Sequence, residues 1–96
     1  MPRKTKKEMR EELRKIIDQA QNVLGTITND NSVPRNIRRV TEEASSELDE
    51  EHDSLAVNAS NAISLLDDLS QDPNCPLHTR TRIYQILSLL EQIRDL

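Results

Sequence analysis

Apolar residues recur along the chain at three- and four-residue steps, the spacing of one face of an α-helix. Near the N-terminus Met9, Leu13, Ile16, Ile17, Ala20, Val23, Leu24 and Ile27 keep this rhythm, and Thr5 with Glu8 reads as a capping box ahead of it. The pattern predicts a first helix over 5–28, about 36 Å long at 1.5 Å per residue. A thinner stripe, Val33, Ile37, Val40, Ala44 and Leu48, predicts a second helix over 32–50, and the acidic stretch Glu47 to Asp53 reads as the loop that follows. Leu55, Ala59, Ala62, Ile63, Leu66 and Leu69 predict a third over 54–71, with Asp53 as its cap and alanines that let neighbours approach closely. Ile83, Tyr84, Ile86, Leu87, Leu89, Leu90, Ile93 and Leu96 predict a fourth over 75–95, apolar on more than one face. Pro34 and Pro76 fall in first turns, where a missing N–H costs nothing, with Ser32 and Asn74 as caps. Nothing alternates like a strand, so the class is all-α.

Sliding the sequence by about 42 positions brings Ala20 onto Ala62, Leu24 onto Leu66, Asp30 onto Asp72, Pro34 onto Pro76 and Arg38 onto Arg80. Each unit reads as helix, Asp-and-Pro turn, helix, so the chain is two tandem αα-hairpins. Two units are too few for a solenoid. The expected architecture is a four-helix bundle, closed within one chain or shared with a second.

Composition narrows the classes. A chain of 96 residues is one domain and buries roughly 65% of its unfolded surface. Its core must be aliphatic, since Tyr84 is the only aromatic residue. Apolar residues make up 34% and charged residues 31%, but the strict patterning argues against disorder. A single cysteine, Cys75, excludes an internal disulfide, and no run approaches a membrane span or a signal peptide. The expectation is a soluble cytoplasmic protein with no membrane association.

Two segments, SVPRNIRRVTEEA and LAVNASNAISLLDDLSQDPNCPLHTRTRIYQILSLLE, look like uncharacterised protein family 0147 (UPF0147), short archaeal helical proteins of unknown function. The resemblance spans about Asn31 to Glu91. It implies a compact helical bundle in an archaeal cytoplasm, and it brings no substrate, cofactor or catalytic residue.

The chemistry gathers at two helix starts. Arg35, Arg38, Arg39, Arg80 and Arg82, with His78, lie where the macrodipole is positive and Asp or Glu would be usual. One reading has Arg38 and Arg80 return to Asp30 and Asp72 of their own turns, so that Asp30, Pro34, Arg38 and Asp72, Pro76, Arg80 brace the hairpins. The other has Arg35, Arg39, His78 and Arg82 converge on an anion or an acidic partner. Basic residues Arg3, Lys4, Lys6, Lys7, Arg10, Arg14 and Lys15 suggest nucleic acid. Interleaved Glu8, Glu11 and Glu12 give pairs such as Glu11 with Lys15, and the net charge of −4 and absence of stacking aromatics weigh against that reading. Cys75 and His78 are spaced to face one metal, but only His52 and scattered carboxylates remain as further ligands, so neither metal nor cofactor is expected. Gly25 is the only glycine and sits inside a helix, which excludes a phosphate loop. An enzyme would need a pocket uniting His78, Tyr84 and the arginines. The reading is a non-catalytic protein-interaction or adaptor module, with Ile86, Leu89 and Ile93 as a surface for a homo-oligomer and the protein partner unknown. The alternative is a nucleic-acid- or ribosome-associated protein using the basic N-terminus and the helix-start arginines.

Overall fold

The computed structural model describes residues 3–51 and 53–93 and contains four helices: α1 (Lys6–Thr28), α2 (Arg35–Leu48), α3 (Leu55–Ser70) and α4 (Leu77–Leu90). No strand forms among the described residues. Each helix packs on two neighbours, α1 on α2 and α4, α3 on α2 and α4, which closes a four-membered ring. Short connections at 29–34, 49–54 and 71–76 make consecutive helices antiparallel. The α1–α2 and α3–α4 turns therefore share one end of the bundle.

Local chemistry sets the helix ends. Thr5 caps α1, its hydroxyl accepting from the Glu8 N–H at 3.1 Å. Ser54, not Asp53, caps α3, accepting from the Val57 N–H. Asp53 lies one residue too early for its carboxylate to meet the first free N–H groups. Helices α2 and α4 begin after the expected positions, because Pro34 and Pro76 are themselves the capping residues, extended in backbone and without a side-chain cap. Ser32 and Asn74 belong to the turns: their N–H groups donate to Asp30 Oδ1 and Asp72 Oδ1 at 2.9 and 2.8 Å. Helix α4 ends at Leu90: residues 91–93 form a turn where the helix was expected to continue through 95, and 94–96, with Leu96, lie outside the described residues.

The core is aliphatic. Ile17, Ala20, Leu24 and Ile27 of α1 meet Ile37, Ala44 and Leu48 of α2, Ala59, Ala62, Leu66 and Leu69 of α3, and Ile83, Ile86, Leu87 and Leu90 of α4 in one cluster. The most extensive contact joins α2 and α3, whose buried faces carry Ala44, Ala59 and Ala62. Small side chains allow that close approach. Ile86 and Ile93, expected on an oligomer surface, are buried within the chain. The reason is geometric: α4 faces both α1 and α3, and covering two neighbours takes a wider stripe than covering one.

The likeness of the two hairpins is clearest at their turns. Val33 N–H donates to Asp30 O and Cys75 N–H to Asp72 O, at 3.1 and 3.0 Å. Deeper in the helices the correspondence breaks: Ile37 and Thr79 are buried partners in the register, as are Thr41 and Ile83, each pairing an apolar with a polar residue.

Helix α1 is the longest, 23 residues against 14 in α4, and the molecule is elongated at 47 × 27 × 20 Å. The first buried α1 residue is Ile17, so its N-terminal half is largely in solvent. Within its second half Gly25 is an interruption with no structural need: its φ is not positive, and an added Cβ meets nothing within 4 Å. Gly25→Ala is expected to raise stability by about 0.5–1 kcal/mol through lower unfolded-state entropy, read as a higher thermal midpoint. An unchanged or lower midpoint would show that the position demands glycine.

Candidate functional site

Two surfaces draw on the sequence candidates: the shared turn end, and the face between α1 and α4. At the turn end the arginines do come back to their own turns, but to backbone carbonyls. Arg38 Nε donates to Val33 O at 3.1 Å, and Arg80 Nη2 lies 3.3 Å from Asp72 O and 3.4 Å from Cys75 O. The expected salt bridges to the Asp30 and Asp72 carboxylates are absent. Those carboxylates are engaged by the N–H groups of Ser32 and Asn74, and Asp30 also by the Ser32 hydroxyl at 2.6 Å.

His78 joins the two hairpins. Its Nε2 lies 3.3 Å from Asp30 Oδ2, across the bundle end from α4 to the first turn. The hydrogen bonds from Ser32, then the pairing with His78, hold the Asp30 carboxyl below its ordinary value. A carboxyl depressed in the folded state contributes stability that is present above its unfolded pKa and is lost as pH falls through the folded value. Acid titration of Asp30→Asn by circular dichroism is therefore expected to show a shallower loss of stability below the ordinary carboxylate range. Identical acid limbs in the two proteins would contradict that linkage.

The same pairing changes the anion-site expectation. The anion beside His78 is supplied by the chain itself. Arg39 shares a charged groove of about 430 Å³ with Glu42, Glu43, Glu47 and Leu65, so the charge around it is acidic. Arg35 is exposed and Arg82 half-buried, and neither forms an ion pair among the described residues.

Cys75 and His78 part company as well. The thiol is buried, lies 3.7 Å from Pro76 O, and is pushed up in pKa chiefly by that burial. A protonated, enclosed thiol is a packing group rather than a nucleophile. His52 lies outside the described residues. Among the described residues no group of three or more His, Cys, Asp or Glu side chains could hold a metal ion.

Of the α1/α4 groove the sequence marked only Leu89 as a surface residue, within the expected oligomer surface. An open groove of about 680 Å³ runs there between Gln19 and Val23 of α1 and Thr81, Tyr84, Gln85, Ser88 and Leu89 of α4. None of these residues is charged. Tyr84, expected within the apolar face of its helix, is 51% exposed, and Leu77 at the start of the same α4 face is 76% exposed. Leu89 is half-buried in the groove wall. The spacing Leu77, Thr81, Tyr84, Ser88 was a visible signal, one uncharged helical face among charged ones, hidden by the stronger aliphatic stripe beside it.

These features can be set beside known proteins. The profile of an uncharacterised protein family, UPF0147, matches residues 3–93. A UPF0147 protein of Aeropyrum pernix is 51% identical over 76 residues, covering 79% of this chain and 84% of the relative. One of Methanothermobacter thermautotrophicus is 51% identical over 73 residues, covering 76% and 72%. In three dimensions the crystal structure of the unknown-function protein MMP1188 superposes with a TM-score of 0.81 at 42% identity, covering 83% of this chain and 91% of that one. A UPF0147 crystal structure from Thermoplasma acidophilum gives 0.77 at 33% identity, covering 81% and 92%. Sequence and fold agree over nearly the whole bundle, and the chain belongs to the uncharacterised protein family UPF0147.

Proposed function

We propose that the protein is a non-catalytic protein-interaction module whose docking surface is the α1/α4 face. The observation that carries this reading is the pairing of Leu77 and Tyr84, 76% and 51% exposed, with the uncharged groove on one side of α4. Exposed aromatic and aliphatic groups beside a concave apolar surface are what interface centres are made of. The groove lining offers no carboxylate, imidazole, thiol or cation that would activate the hydroxyls of Thr81, Tyr84 and Ser88 as nucleophiles or acid–base groups. His78 is held at the turn end by Asp30, while Tyr84 lies in the α1/α4 groove, whose lining includes neither His78 nor an arginine. No helix among them is long and apolar enough to cross a membrane.

The test is affinity purification of the tagged chain and of Tyr84→Glu from native cells at low and at high salt. The reading expects a defined protein retained by the unsubstituted chain at high salt and lost with Tyr84→Glu, both folded by circular dichroism. Equal retention by the two would overturn it.

A second reading rests on the N-terminal half of α1. Lys6, Lys7, Arg10, Arg14 and Lys15 are all exposed, and the ion pair formed there joins Lys4 to Glu12 rather than Glu11 to Lys15. Those solvated cations favour nucleic acid through phosphate contacts. Retention of RNA at low salt only, abolished by deleting residues 3–7, would select this reading.

A further inference from the structure

We propose that the projecting N-terminal half of α1 binds the phosphate backbone of a double-stranded nucleic acid through one row of four cations, Lys6, Lys7, Arg10 and Arg14. This rests on the second reading above and names the residues and the form of nucleic acid. The flank of α1 involved is not the one that lines the α1/α4 groove, which stays free for a protein.

Charge along the chain is uneven. Residues 3–15 hold seven of the 13 lysines and arginines and three of the 17 aspartates and glutamates, so a basic arm is joined to an acidic body. At about 3.6 residues per turn, Lys6, Lys7, Arg10 and Arg14 fall within about 100° around the helix axis, and Glu8, Glu11, Glu12 and Lys15 fill the next flank. All eight are exposed. The ion pair on this arm, Lys4 with Glu12, engages the second flank, and none of the four cations is paired among the described residues. Glu8 is the only acidic group in the first turn of α1. Cations at a helix start oppose the macrodipole, but an approaching phosphate reverses that cost, because dipole and side chains then attract the same anion.

The row is about 12 Å long. Two turns beyond Arg14 on the same flank comes Gln21, which donates to Ser45 O and Asp49 Oδ1 at the end of α2. There Asp49, Glu50 and Glu51 repel a polyanion, so the contact is confined to the arm and to about four phosphates. The arm carries no aromatic group: Tyr84, the only one in the chain, lines the α1/α4 groove with Gln19 and Val23. With no ring to stack unpaired bases, nothing favours a single strand, and the dense phosphates on the outside of a duplex are what a single row of cations fits. A membrane surface fits less well, since an interfacial helix needs a free apolar face, whereas Leu13 and Ile16 are packed against the core.

The experiment is fluorescence anisotropy of the full chain with labelled RNA and DNA duplexes of about 20 base pairs, their single strands and anionic phospholipid vesicles, between about 50 and 200 mM salt. Arg14→Gln and Lys15→Gln are measured alongside. These variants lose the same charge at adjacent exposed positions on different flanks, and both are expected to keep the native circular dichroism spectrum. The proposal expects a duplex affinity that falls about 150-fold over that range, a log–log slope of about −3.6 for four phosphates, shallower by about 0.9 in Arg14→Gln and unchanged in Lys15→Gln. A tighter hold on the RNA or on the DNA duplex identifies which backbone is bound, and either supports the proposal. Equal loss in the two variants would overturn the row while leaving nucleic-acid binding by diffuse charge standing. Single strands or vesicles bound as tightly as the duplexes would overturn the duplex assignment, and no binding at the lowest salt would overturn both the row and the reading on which it rests.

Discussion

Leu24→Ala is expected to lower the stability of the fold by about 2–5 kcal/mol, the range for emptying a large aliphatic site that cannot collapse. Leu24 is fully buried, in the segment of α1 that packs on both α2 and α4. The core contains no aromatic side chain to swing into the space, and its members Ala44, Ala59 and Ala62 are too small to fill it. For a domain whose total stability is about 5–15 kcal/mol, this is a large fraction. Urea denaturation checks it: the midpoint should fall with little change in slope. A loss below about 1 kcal/mol would mean that the site relaxes and that the bundle is less closely packed than the burial implies.

Arg80→Ala is the second large effect, expected at about 1–3 kcal/mol, the scale of lost hydrogen bonds from a charged donor, with the Asp72 carbonyl keeping the Cys75 N–H and the Cys75 carbonyl losing its guanidinium partner. Its guanidinium spans two carbonyls of the α3–α4 turn, at 3.3 and 3.4 Å from Asp72 O and Cys75 O. The buried Nε has no partner among the described residues, which places the effect toward the lower part of that range. Arg38→Ala should act in the same direction through its bond to Val33 O. Arg80→Lys should restore part of the loss, since one ammonium can replace a donor without matching the planar fork. Unchanged urea midpoints for both alanine variants would remove the bracing role of these arginines.

Much of this arrangement was legible in the residues. The three- and four-residue rhythm placed all four helices because a bundle helix must bury one stripe, and the aliphatic stripes here are interrupted only at single polar positions such as Thr41, Asn58 and Thr79. The recurrence of Asp30, Pro34 and Arg38 at Asp72, Pro76 and Arg80 pointed to turns of one kind. The partner atoms were misjudged. Charge matching suggests carboxylate for guanidinium, but the turn's own N–H groups reach Asp30 and Asp72 first, leaving the carbonyls to the arginines. Pro34 and Pro76 shifted two helix starts because the preceding residues are folded into the turn.

The candidate site was less legible. Ile86 and Ile93 looked surplus to a single stripe, and only the ring of contacts shows that α4 serves two neighbours. Tyr84 was read with the apolar positions of its helix, and its exposure follows from a rotation of α4 that periodicity in one helix cannot fix. The His78 to Asp30 contact joins residues from different hairpins, so no local pattern could announce it.

The most direct test of the docking surface is a backbone amide spectrum of the isotope-labelled chain, compared in dilute buffer and in clarified extract of its native cells at physiological salt. The account predicts broadening or shifts concentrated at Gln19, Val23 and residues 81–89, with the α2/α3 groove unchanged. Changes confined to residues 6–15, or spread evenly over the bundle, would contradict it.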